Sequence, residues 1–588
     1  MTNITSVAKV VGVSPDAINI EIYDTQEYEE LPEQLEIGSY IKIHDDSGST
    51  LIAIVQSYRV KDDLHPGGEY REATPRFIVE TQPVGHMEGG KFKRGGKKIS
   101  IPPQHIEIAS AEVLNEIYAS VDLDKRFSFG SLAQNSDVRA VLDGDKFFAK
   151  HIGVVGSTGS GKSCTVAKIL QSGSESSVDQ KSRAVLNNSH IIIFDLHGEY
   201  ASAFPDANLV SASNLHLPCW MMNSEELEEM FIESNENNSH NQVSQFRRAV
   251  IENKVRHAQD AGVSKINYDS PSYFSLQEVV NYLDNLNREV ISKVPGDDLP
   301  KLSNETLVSD RSEFYFFKRH DFVETSQKAD KRASNGPFFG EFSRFLMRIN
   351  SKMSDRRLDF LLSPEKENGD PYLTNDMSSI LSQFMGYGKK KSNVTILDLS
   401  GIPFEVLSVV VSLVSRLVFN FSFHFRKSGK SSGRELPFLL VYEEAHNYVP
   451  QGSGAKYNSV KRAIERIAKE GRKYGVSLMI VSQRPSEISE TVFSQCNNFV
   501  AMRLTNPIDQ NYVKRLIPDS LSAITDSLPS LEQQEAIVIG DSVNLPTILK
   551  VDQVINRPDS QDINFHTEWK EDWLEVAMSN IVERWQCW

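Results

Sequence analysis

The stretch GSTGSGKS occupies residues 156–163 and decides the fold of the chain around it. It matches the pattern G-x-x-x-x-G-K-[ST], with Gly156, Gly161, Lys162 and Ser163 at the fixed positions. The loop follows the apolar run HIGVVG and precedes SCTVAKILQSG, whose apolar residues have helical spacing. This order of strand, loop and helix predicts a phosphate-binding loop, because glycines let the backbone wrap closely around an anion. A chance Gly/Ser linker is the alternative interpretation.

The residues of this loop have distinct expected tasks in holding a nucleoside triphosphate. Lys162 would bridge the β- and γ-phosphates, and the Ser163 hydroxyl would ligate Mg²⁺. Backbone amides would surround the phosphates, reinforced by the N-terminus of the following helix. We expect ATP and Mg²⁺ as cofactors, and we assign phosphate binding to Gly156, Ser157, Thr158, Gly159, Ser160, Gly161, Lys162, Ser163 and Cys164.

Length and charge limit the classes of function. The chain has 588 residues, enough for several domains, and a formal net charge of −16 from 63 basic and 79 acidic residues. Such an acidic chain is no general polyanion binder, so any contact with nucleic acid must come from local basic loops. Its 39% hydrophobic and 24% charged residues are typical of an ordinary soluble globular protein.

Cysteines and the N-terminal residues indicate the compartment. Four scattered cysteines form no CxxC pair, which argues against a zinc site or a disulfide framework and favours a reducing cytosol. The first residues, MTNITSVAKVVGVSPD, lack the apolar core of a signal peptide. No apolar run approaches the ~18 residues needed to cross a bilayer. We therefore expect a cytoplasmic protein without a membrane segment.

The first 110 residues are predicted to form a small β-barrel. The segments AINIEIYD, SYIKIHD, STLIAIVQSYRV and RFIVETQPVG have strand character and are separated by turn-forming stretches. They are followed by GGKFKRGGKK (residues 89–98), a basic loop flanked by glycines. This loop is either a solvated hairpin tip or a contact for a phosphate backbone or a partner protein.

From about residue 125 strands and helices alternate, which predicts an α/β domain with a parallel sheet and helices on both faces. Its strand candidates are continuous apolar runs, as expected for buried strands: HIGVVG, HIIIFDLHG, NVTILDLSG, PFLLVYEEAH, VSLMIVSQRP, FVAMRL and EAIVIG. We assign this core to residues 125–221 and 391–560. A polar, mostly helical insertion at 222–390 interrupts it. In a helical extension at 561–588, Trp573, Ala577, Ile581 and Trp585 share one predicted face, expected to pack against the same subunit or a neighbour.

Two adjacent carboxylates complete the predicted active site. FLLVYEEAH leads a buried strand to Glu443 and Glu444 at its carboxyl end, where ligands bind in such sheets. Glu443 would hold Mg²⁺ through water, and Glu444 would polarise the attacking water as general base. Two carboxylates at a strand end are costly to bury without a cation. An acidic pair at a helix N-cap is the alternative.

Two further strand ends carry polar candidates. VSQRPSEIS places Gln483 where a γ-phosphate sensor would lie, the alternative being a hydrogen-bonded amide at a strand end. IIIFDLHGEY ends with Asp195, His197 and Glu199, which could position water, Mg²⁺ or a neighbouring subunit. We include Asp195 as a further candidate metal ligand, although an acid at a strand end often caps the next helix instead.

The predicted helix SVKRAIERIAKEGRKYG (residues 459–475) presents basic residues opposite an apolar face. One outward arginine could stabilise the transition-state charge at the γ-phosphate of an adjacent subunit, an effect worth about 10³–10⁵ in rate. Arg472 is the first candidate for this trans finger and Arg466 the second. A solvated basic helix face is the alternative for either residue.

Five segments together resemble one known family: GSTGSGKS, FDLHGEY, LDLSGIP, VYEEAHNYVP and AKEGRKYGVSLMIVSQRPSEIS. They are similar to HerA-type ATPases, in the FtsK/HerA branch of P-loop motor proteins, and the last segment is the most specific of the five. The N-terminal β segment resembles the HAS barrel of the same family. The resemblance covers roughly residues 1–215 and 390–560. One departure is Lys150, where relatives often carry Arg.

The resemblance implies a RecA-like core assembled as a homohexameric ring, with double-stranded DNA in a central channel and ATP sites at subunit interfaces. It also implies a nuclease or NAD-consuming effector bound through the barrel, acting in DNA end processing or antiphage defence. For single residues it implies the roles already expected: phosphate and Mg²⁺ for Lys162 and Ser163, metal for Glu443, base for Glu444, sensor for Gln483 and trans finger for Arg472.

Contacts to DNA are expected to be independent of sequence, because no helix-turn-helix or finger pattern is present. Each basic cluster is either a solvated loop or part of a ring of positive charge that binds phosphates. The candidates are Lys389, Lys390 and Lys391; Arg426, Lys427, Lys430 and Arg434; and Lys456, Tyr457 and Lys461.

Two functions remain open from the sequence. The first is a ring-forming, ATP-driven DNA translocase or helicase of the HerA type that works with a partner. The second is a nucleotide-regulated hexameric scaffold that assembles and activates an effector enzyme, with little translocation of its own. A conjugation-type coupling ATPase is a third option, which the absence of a membrane segment disfavours.

Overall fold

The computed structural model describes residues 3–14, 17–44, 50–61, 76–88, 91–95, 105–109, 111–174, 186–233, 239–258, 265–428, 434–452, 458–516, 522–560 and 563–586. Two large sheets organise these residues. One is an antiparallel sheet of seven strands at the N-terminus, and the other is a mixed sheet of ten strands. The chain has an α/β fold, which confirms the predicted class.

The N-terminal sheet has the strand order β1-β2-β5-β4-β3-β7, with β6 paired to β5. It curls until its ends meet, because the Ile4 amide donates to the Ile106 carbonyl at 3.1 Å. Alternating isoleucines point inward and fill a separate core under this sheet. A short helix, α1 (Thr25–Glu29), follows the second strand. The strands are β1 (Ala8–Val13), β2 (Ile18–Ile22), β3 (Tyr40–His44), β4 (Thr50–Lys61), β5 (Arg76–Glu88), β6 (Lys91–Arg94) and β7 (His105–Ile108).

Three side chains fasten the N-terminal sheet to the rest of the protein. Tyr40 donates its hydroxyl to the Pro546 carbonyl at 2.5 Å. Tyr118, on helix α2 (Ala111–Ala119), lies 2.9 Å from the Thr547 hydroxyl. Arg94, in the described part of the basic loop, donates to the Gly540 carbonyl at 2.9 Å. Residues 89–90 and 96–98 of that loop lie outside the described residues.

The ten-stranded sheet has the order β13-β16-β12-β17-β18-β11-β19-β20-β21-β9. Its strands are β9 (Gly130–Leu132), β11 (His151–Val155), β12 (His190–Asp195), β13 (Asn208–Ser211), β16 (Val394–Asp398), β17 (Phe438–Tyr442), β18 (Val476–Ser482), β19 (Cys496–Met502), β20 (Glu535–Gly540) and β21 (Thr547–Val551). All seven strands predicted from apolar runs are present. A small pair, β8 (Arg126–Phe127) and β10 (Leu142–Asp143), precedes the sheet's central strand β11.

The prediction of a wholly parallel sheet is wrong at one edge. Seven neighbouring strands of the sheet are parallel, namely β13, β16, β12, β17, β18, β11 and β19. The remaining strands, β20, β21 and β9, pair antiparallel. Residues 541–546 alone connect β20 to β21, and so short a link makes a hairpin rather than a crossover. An apolar run predicts a buried strand but carries no information about its direction.

Helices cover this sheet and connect its strands. Those of the core are α3 (Gly144–Phe148), α4 (Lys162–Ser174), α12 (Phe404–Lys427), α13 (Asn458–Glu470), α14 (Glu490–Phe493), α15 (Pro507–Leu516) and α16 (Ser522–Asp526). The expectation that no apolar stretch approaches membrane-spanning length is wrong for α12. This helix is long and apolar enough to cross a bilayer by length and composition, but 78% of its most apolar window is buried inside the protein.

Between β13 and β16 the chain leaves the sheet for the region 222–390. Its elements are α5 (Ser224–Phe231), α6 (Ser239–His257), α7 (Leu276–Arg288), β14 (Val290–Ser292), α8 (Arg311–Phe314), β15 (Ala333–Asn335), α9 (Ser343–Met353), α10 (Asp359–Leu362) and α11 (Met377–Phe384). A buried ion pair fastens this region to the core, since Arg416 of α12 contacts Glu226 of α5 at 2.7 Å.

The C-terminal residues differ from their prediction. The last helix, α18 (Met578–Gln586), begins after Trp573 and Ala577, so these two residues do not share a helical face with Ile581 and Trp585. A short helix, α17 (Phe565–Glu568), precedes it. In the protomer the described aromatic residues of this segment are exposed; Trp573, for example, is 88% exposed.

Candidate active site

The glycine-rich loop joins the carboxyl end of β11 to helix α4. Gly159 and Gly161 have φ of +74° and +92°, which side chains rarely adopt. At Gly156 an added Cβ would lie 2.6 Å from Ser160 Oγ and 2.9 Å from Met502 Cβ. The loop is held from outside, because the Ser157 amide donates to the Arg503 carbonyl at 2.8 Å. Only this glycine pattern permits the observed loop.

Residues of the glycine-rich loop, the Glu444 carboxylate and the Gln483 side-chain amide form one buried cluster. The Lys162 Nζ lies 3.6 Å from the Glu444 Oε1, and both side chains are more than nine-tenths buried. Gln483 donates its amide to the same Oε1 of Glu444. Its other end accepts a hydrogen bond of 2.5 Å from the Thr158 hydroxyl. The structure therefore brings together four residues that the sequence placed on three different strand ends and loops.

Backbone strain accompanies Glu444. It has φ of +47° and ψ of +47°, in the left-handed region, two residues after the end of β17. Such a conformation costs about 1–3 kcal/mol in a residue other than glycine and persists where surrounding contacts fix it. The short turn Ala445–Asn447 follows, with the Asn447 amide donating to the Glu444 carbonyl at 2.9 Å. This geometry turns the carboxylate back towards the loop.

Glu443, the neighbouring acid, is 2% exposed. Burial raises the pKa of its carboxyl to about 8; a hydrogen bond from Tyr200 and the charge of Lys162 oppose this shift, while the charges of Glu199 and Asp195 add to it. Its Oε2 has no hydrogen bond of good geometry among the described residues. A cation beside this buried carboxylate would restore its ionised form.

The carboxylates of Asp195 and Glu199, which lie at and just after the end of β12, have different hydrogen-bond partners. Both oxygens of Asp195 are used as backbone acceptors, for the amides of Gly198, Glu199 and Tyr200 at 2.9–3.2 Å. Glu199 instead accepts a hydrogen bond of 3.1 Å from the Ser163 hydroxyl. The carboxylate beside the predicted metal ligand Ser163 is therefore Glu199. The sequence offered Glu199 for water, Mg²⁺ or a neighbouring subunit, but it placed Asp195 among the candidate metal ligands instead.

The donor set fits a magnesium ion bound together with a nucleotide. Across the described ranges, no three His, Cys, Asp or Glu side chains are placed to hold a metal by themselves. Mg²⁺ usually takes one or two carboxylates and completes its octahedron with phosphate oxygens and water. Ser163, Glu199 and the buried Glu443 meet that requirement.

The two finger candidates lie away from this cluster. Arg472 is exposed on the turn Gly471–Tyr474, which precedes the amino end of β18, whereas the loop lies at the carboxyl ends. Seven residues of strand separate these edges, a distance of about 23 Å. Arg466 stacks its guanidinium 5.0 Å from the Phe419 ring centroid and lies 3.8 Å from Glu470. Neither arginine can reach the nucleotide loop of its own subunit.

Sequence reasoning missed two residues at the site. Gln534 has φ of +65°. Its backbone amide donates to the Ser160 carbonyl at 3.1 Å, and its side chain packs over Gly161. His446 places its Nδ1 3.3 Å from the Glu444 Oε2. The segment VYEEAHNYVP contained His446, but no spacing rule pointed to its side chain. Gln534 precedes an apolar strand without any motif, so no sequence signal was available.

The described basic side chains predicted to contact DNA mostly have partners within the protomer. Lys389 and Lys390 lie 3.2 Å from Glu367 and 3.3 Å from Asp206. Arg426 donates to the Lys473 carbonyl, and Lys461 to the Gln451 and Gly452 carbonyls. Lys427 lies over the Phe423 ring. Lys430, Lys456 and Tyr457 are outside the described residues.

A polar cleft of about 1090 Å³ lies beside the nucleotide loop rather than in it. It opens at the carboxyl ends of β13 and β16, between the sheet and the region 222–390. Its lining includes Ser211, His216, Arg356, Asp359 and Asp398. No residue of the loop 156–164 is among its lining residues.

Comparison with known families finds a match to the model described as "Helicase HerA, central domain", over residues 127–418. The DNA double-strand break repair helicase HerA of Sulfolobus acidocaldarius is 25% identical over 491 residues, covering 82% of this chain and 79% of the relative. A probable DNA double-strand break repair helicase HerA of Methanocaldococcus jannaschii is 24% identical, covering 92% and 96%.

Solved structures with a similar fold include VirB4 of Thermoanaerobacter pseudethanolicus, with a TM-score of 0.44, 12% identity, and coverage of 74% of this chain and 98% of VirB4. The plasmid coupling protein TrwB, solved in complex with ADP and Mg²⁺, has a TM-score of 0.39 and 14% identity, covering 71% and 89%.

Proposed function

Because the chain belongs to the HerA family of P-loop ATPases and is an ATP hydrolase, we propose that it is an ATP-driven DNA translocase or helicase working as a homohexameric ring. One observation carries this proposal: a single buried cluster joins Lys162, Glu444 and Gln483 beside the glycine-rich loop. ATP would lie at subunit interfaces, where a neighbour supplies the charge that the protomer's own Arg466 and Arg472 cannot deliver.

The residues of the cluster would exchange partners during catalysis. Lys162 would leave Glu444 for phosphate oxygens, and the amides of the loop would hold the remaining phosphate charge. Ser163, Glu199 and Glu443 would hold Mg²⁺, which when bound neutralises charge on the transferred phosphoryl group. Glu444, released from Lys162, would accept a proton from the attacking water. Gln483 spans the loop and this base, so it can relate phosphate occupancy to the position of Glu444.

The ATPase rate tests this proposal when it is measured with and without double-stranded DNA, at roughly 50 and 200 mM salt. We expect stimulation by DNA that falls at the higher salt, because backbone binding releases counterions. The variant Glu444→Gln reports the background rate. An ATPase rate that DNA leaves unchanged at both salt concentrations would contradict the translocase hypothesis and favour a nucleotide-regulated scaffold.

A nucleotide-regulated scaffold is the second candidate, and a specific observation favours it. Glu367 and Asp206 lie beside Lys389 and Lys390, so this cluster offers DNA a smaller net positive charge than the sequence suggested. In this case the ATPase would respond to an effector enzyme, a nuclease or an NAD-consuming protein, rather than to DNA alone. Adding the product of the neighbouring gene to the same assay separates the two candidates.

The N-terminal sheet is the proposed docking surface for that effector. Residues Val11, Ile37 and Val60 of this N-terminal region are 46%, 56% and 60% exposed, and a bound effector would cover such apolar side chains. Val60→Asp should weaken co-purification with the effector, whereas Leu123→Asp, at an 80% exposed position outside the sheet, should not. Equal binding by both variants would contradict this surface.

A further inference from the structure

His446 lies against the side of the Glu444 carboxylate that the loop leaves uncovered. Lys162 and Gln483 both contact Oε1. Oε2 is buried and has no hydrogen bond of good geometry among the described residues, yet the His446 Nδ1 lies 3.3 Å away. A buried carboxylate oxygen without a donor is costly, so this ring nitrogen is the group placed to satisfy it.

A second contact holds the imidazole ring in place. The Ser482 Oγ, at the carboxyl end of β18, lies 3.3 Å from the same Nδ1. Ser482 is fully buried and accepts a hydrogen bond of 3.0 Å from the Arg484 amide. Its hydroxyl is therefore anchored to the backbone, and the ring of His446 is positioned between β17 and β18.

The proton on the ring decides what His446 does. Burial lowers the pKa of His446, so the neutral ring has one N–H to place. With that proton on Nδ1, the ring donates towards Glu444 and its position is reinforced by Ser482 as acceptor. With the proton on the other nitrogen, Ser482 would donate to Nδ1 and Glu444 would gain nothing. The buried, donor-free Oε2 favours the first arrangement.

Nucleotide binding would remove the other two contacts of Glu444. In the structure Lys162 and Gln483 both contact Oε1 of Glu444. In the proposed function Lys162 binds phosphate oxygens instead, and Gln483 binds the γ-phosphate. We propose that His446 is a positioning residue that holds the Glu444 carboxylate, through Nδ1–H and Oε2, while nucleotide is bound. The inference rests on the proposed function, since it assigns a task only if Glu444 is the base.

Three substitutions at His446 distinguish the loss of a hydrogen-bond donor to Glu444 from the loss of side-chain volume. His446→Asn places an amide nitrogen near the Nδ1 position, His446→Gln places one near Nε2, and His446→Ala supplies neither. We expect the Ala and Gln variants to lose about 10–100-fold in kcat, as partners that orient a reacting group commonly cost, and Asn to recover most of it. The dissociation constant for a non-hydrolysable ATP analogue should change by less than about threefold, because binding uses the loop.

A matched control is His190→Ala, which removes a half-buried histidine at the amino end of β12, on the opposite edge of the sheet. It should keep both kcat and nucleotide affinity. Full kcat in His446→Ala, or an Asn variant no better than Ala, would overturn the inference, as would loss of analogue binding in step with kcat. If Glu444→Gln itself stays active, the proposed function fails; if it is inactive while His446→Ala is fully active, the inference alone fails.

Discussion

The ammonium of Lys162 and the carboxylate of Glu444 face each other at 3.6 Å in the floor of the nucleotide loop, with 6% and 7% of their side chains exposed. Two buried charges of opposite sign stabilise each other, and removing one leaves the other unpaired. The same pair joins the group expected to bind phosphate to the group expected to activate water. In this structure the two groups are paired with each other, and phosphate oxygens would separate them by binding Lys162.

Removing either member of this pair should affect different steps. Lys162→Ala should abolish both nucleotide binding and turnover, because the phosphates lose their cation. Glu444→Gln should bind nucleotide at least as tightly as the unmodified protein, since Lys162 is no longer held, and lose about 10²-fold or more in kcat. Fluorescent-nucleotide titration and steady-state ATPase assays measure the two effects. Glu405→Gln, at an 84% exposed side chain, is the control, and retained turnover in Glu444→Gln would contradict the assignment of the base.

Magnesium binding should release a proton near neutral pH. The pKa of Glu443 is raised to about 8, so the carboxyl is protonated at pH 7 and must ionise to hold the cation. The apparent affinity for Mg²⁺–nucleotide should therefore rise as pH increases from 6.5 towards 8, by at most about tenfold per pH unit. Calorimetry in two buffers with different ionisation enthalpies counts the proton. Glu443→Gln should release none, and equal proton release by that variant would remove Glu443 from the metal site.

A methyl group at Gly156 should disrupt the loop. The added Cβ would meet Ser160 Oγ at 2.6 Å and Met502 Cβ at 2.9 Å, and overpacking of this kind costs about 1–3 kcal/mol. Gly156→Ala should lower the thermal midpoint and weaken nucleotide binding. Gly452→Ala is the control, because a Cβ there has open space. Unchanged binding in Gly156→Ala would show that the loop relaxes without affecting the site.

Arg472 should act only across a subunit interface. Its turn precedes the amino end of β18, on the sheet edge opposite the loop. Arg472→Ala should be inactive alone, and mixing it with Glu444→Gln subunits should restore part of the ATPase activity, because some interfaces regain both groups. Mixing Lys162→Ala with Glu444→Gln is the control and should restore none, since both variants damage the same side of the interface. Absence of rescue at every ratio would exclude Arg472 as the finger.

The agreement between the predicted and observed site follows from short-range patterns. Gly156, Lys162 and Ser163 belong to a local loop that needs close packing at Gly156 and positive φ at Gly159 and Gly161, so a motif suffices to find it. Glu443, Glu444 and Gln483 were found because an apolar run ending in a polar residue marks the carboxyl end of a buried strand. The sequence left Glu199 open between water, Mg²⁺ and a neighbouring subunit, and it gave His446 no role. Which side chain meets Ser163 or Glu444 depends on how separate strand ends face one another.

The sequence by itself determined the α/β class, seven strands of the large sheet and the glycine-rich loop, because these depend on apolar periodicity and on local backbone sterics. Only the tertiary structure decided that β20, β21 and β9 run antiparallel, that Asp195 is used by backbone amides while Glu199 meets Ser163, and that Lys162 and Glu444 form a buried pair. Several of those outcomes depend on contacts between segments that are separate in the sequence, such as Ser163 with Glu199 and Lys162 with Glu444. There, burial and the pairing of charges select one arrangement from several that the local sequence allows.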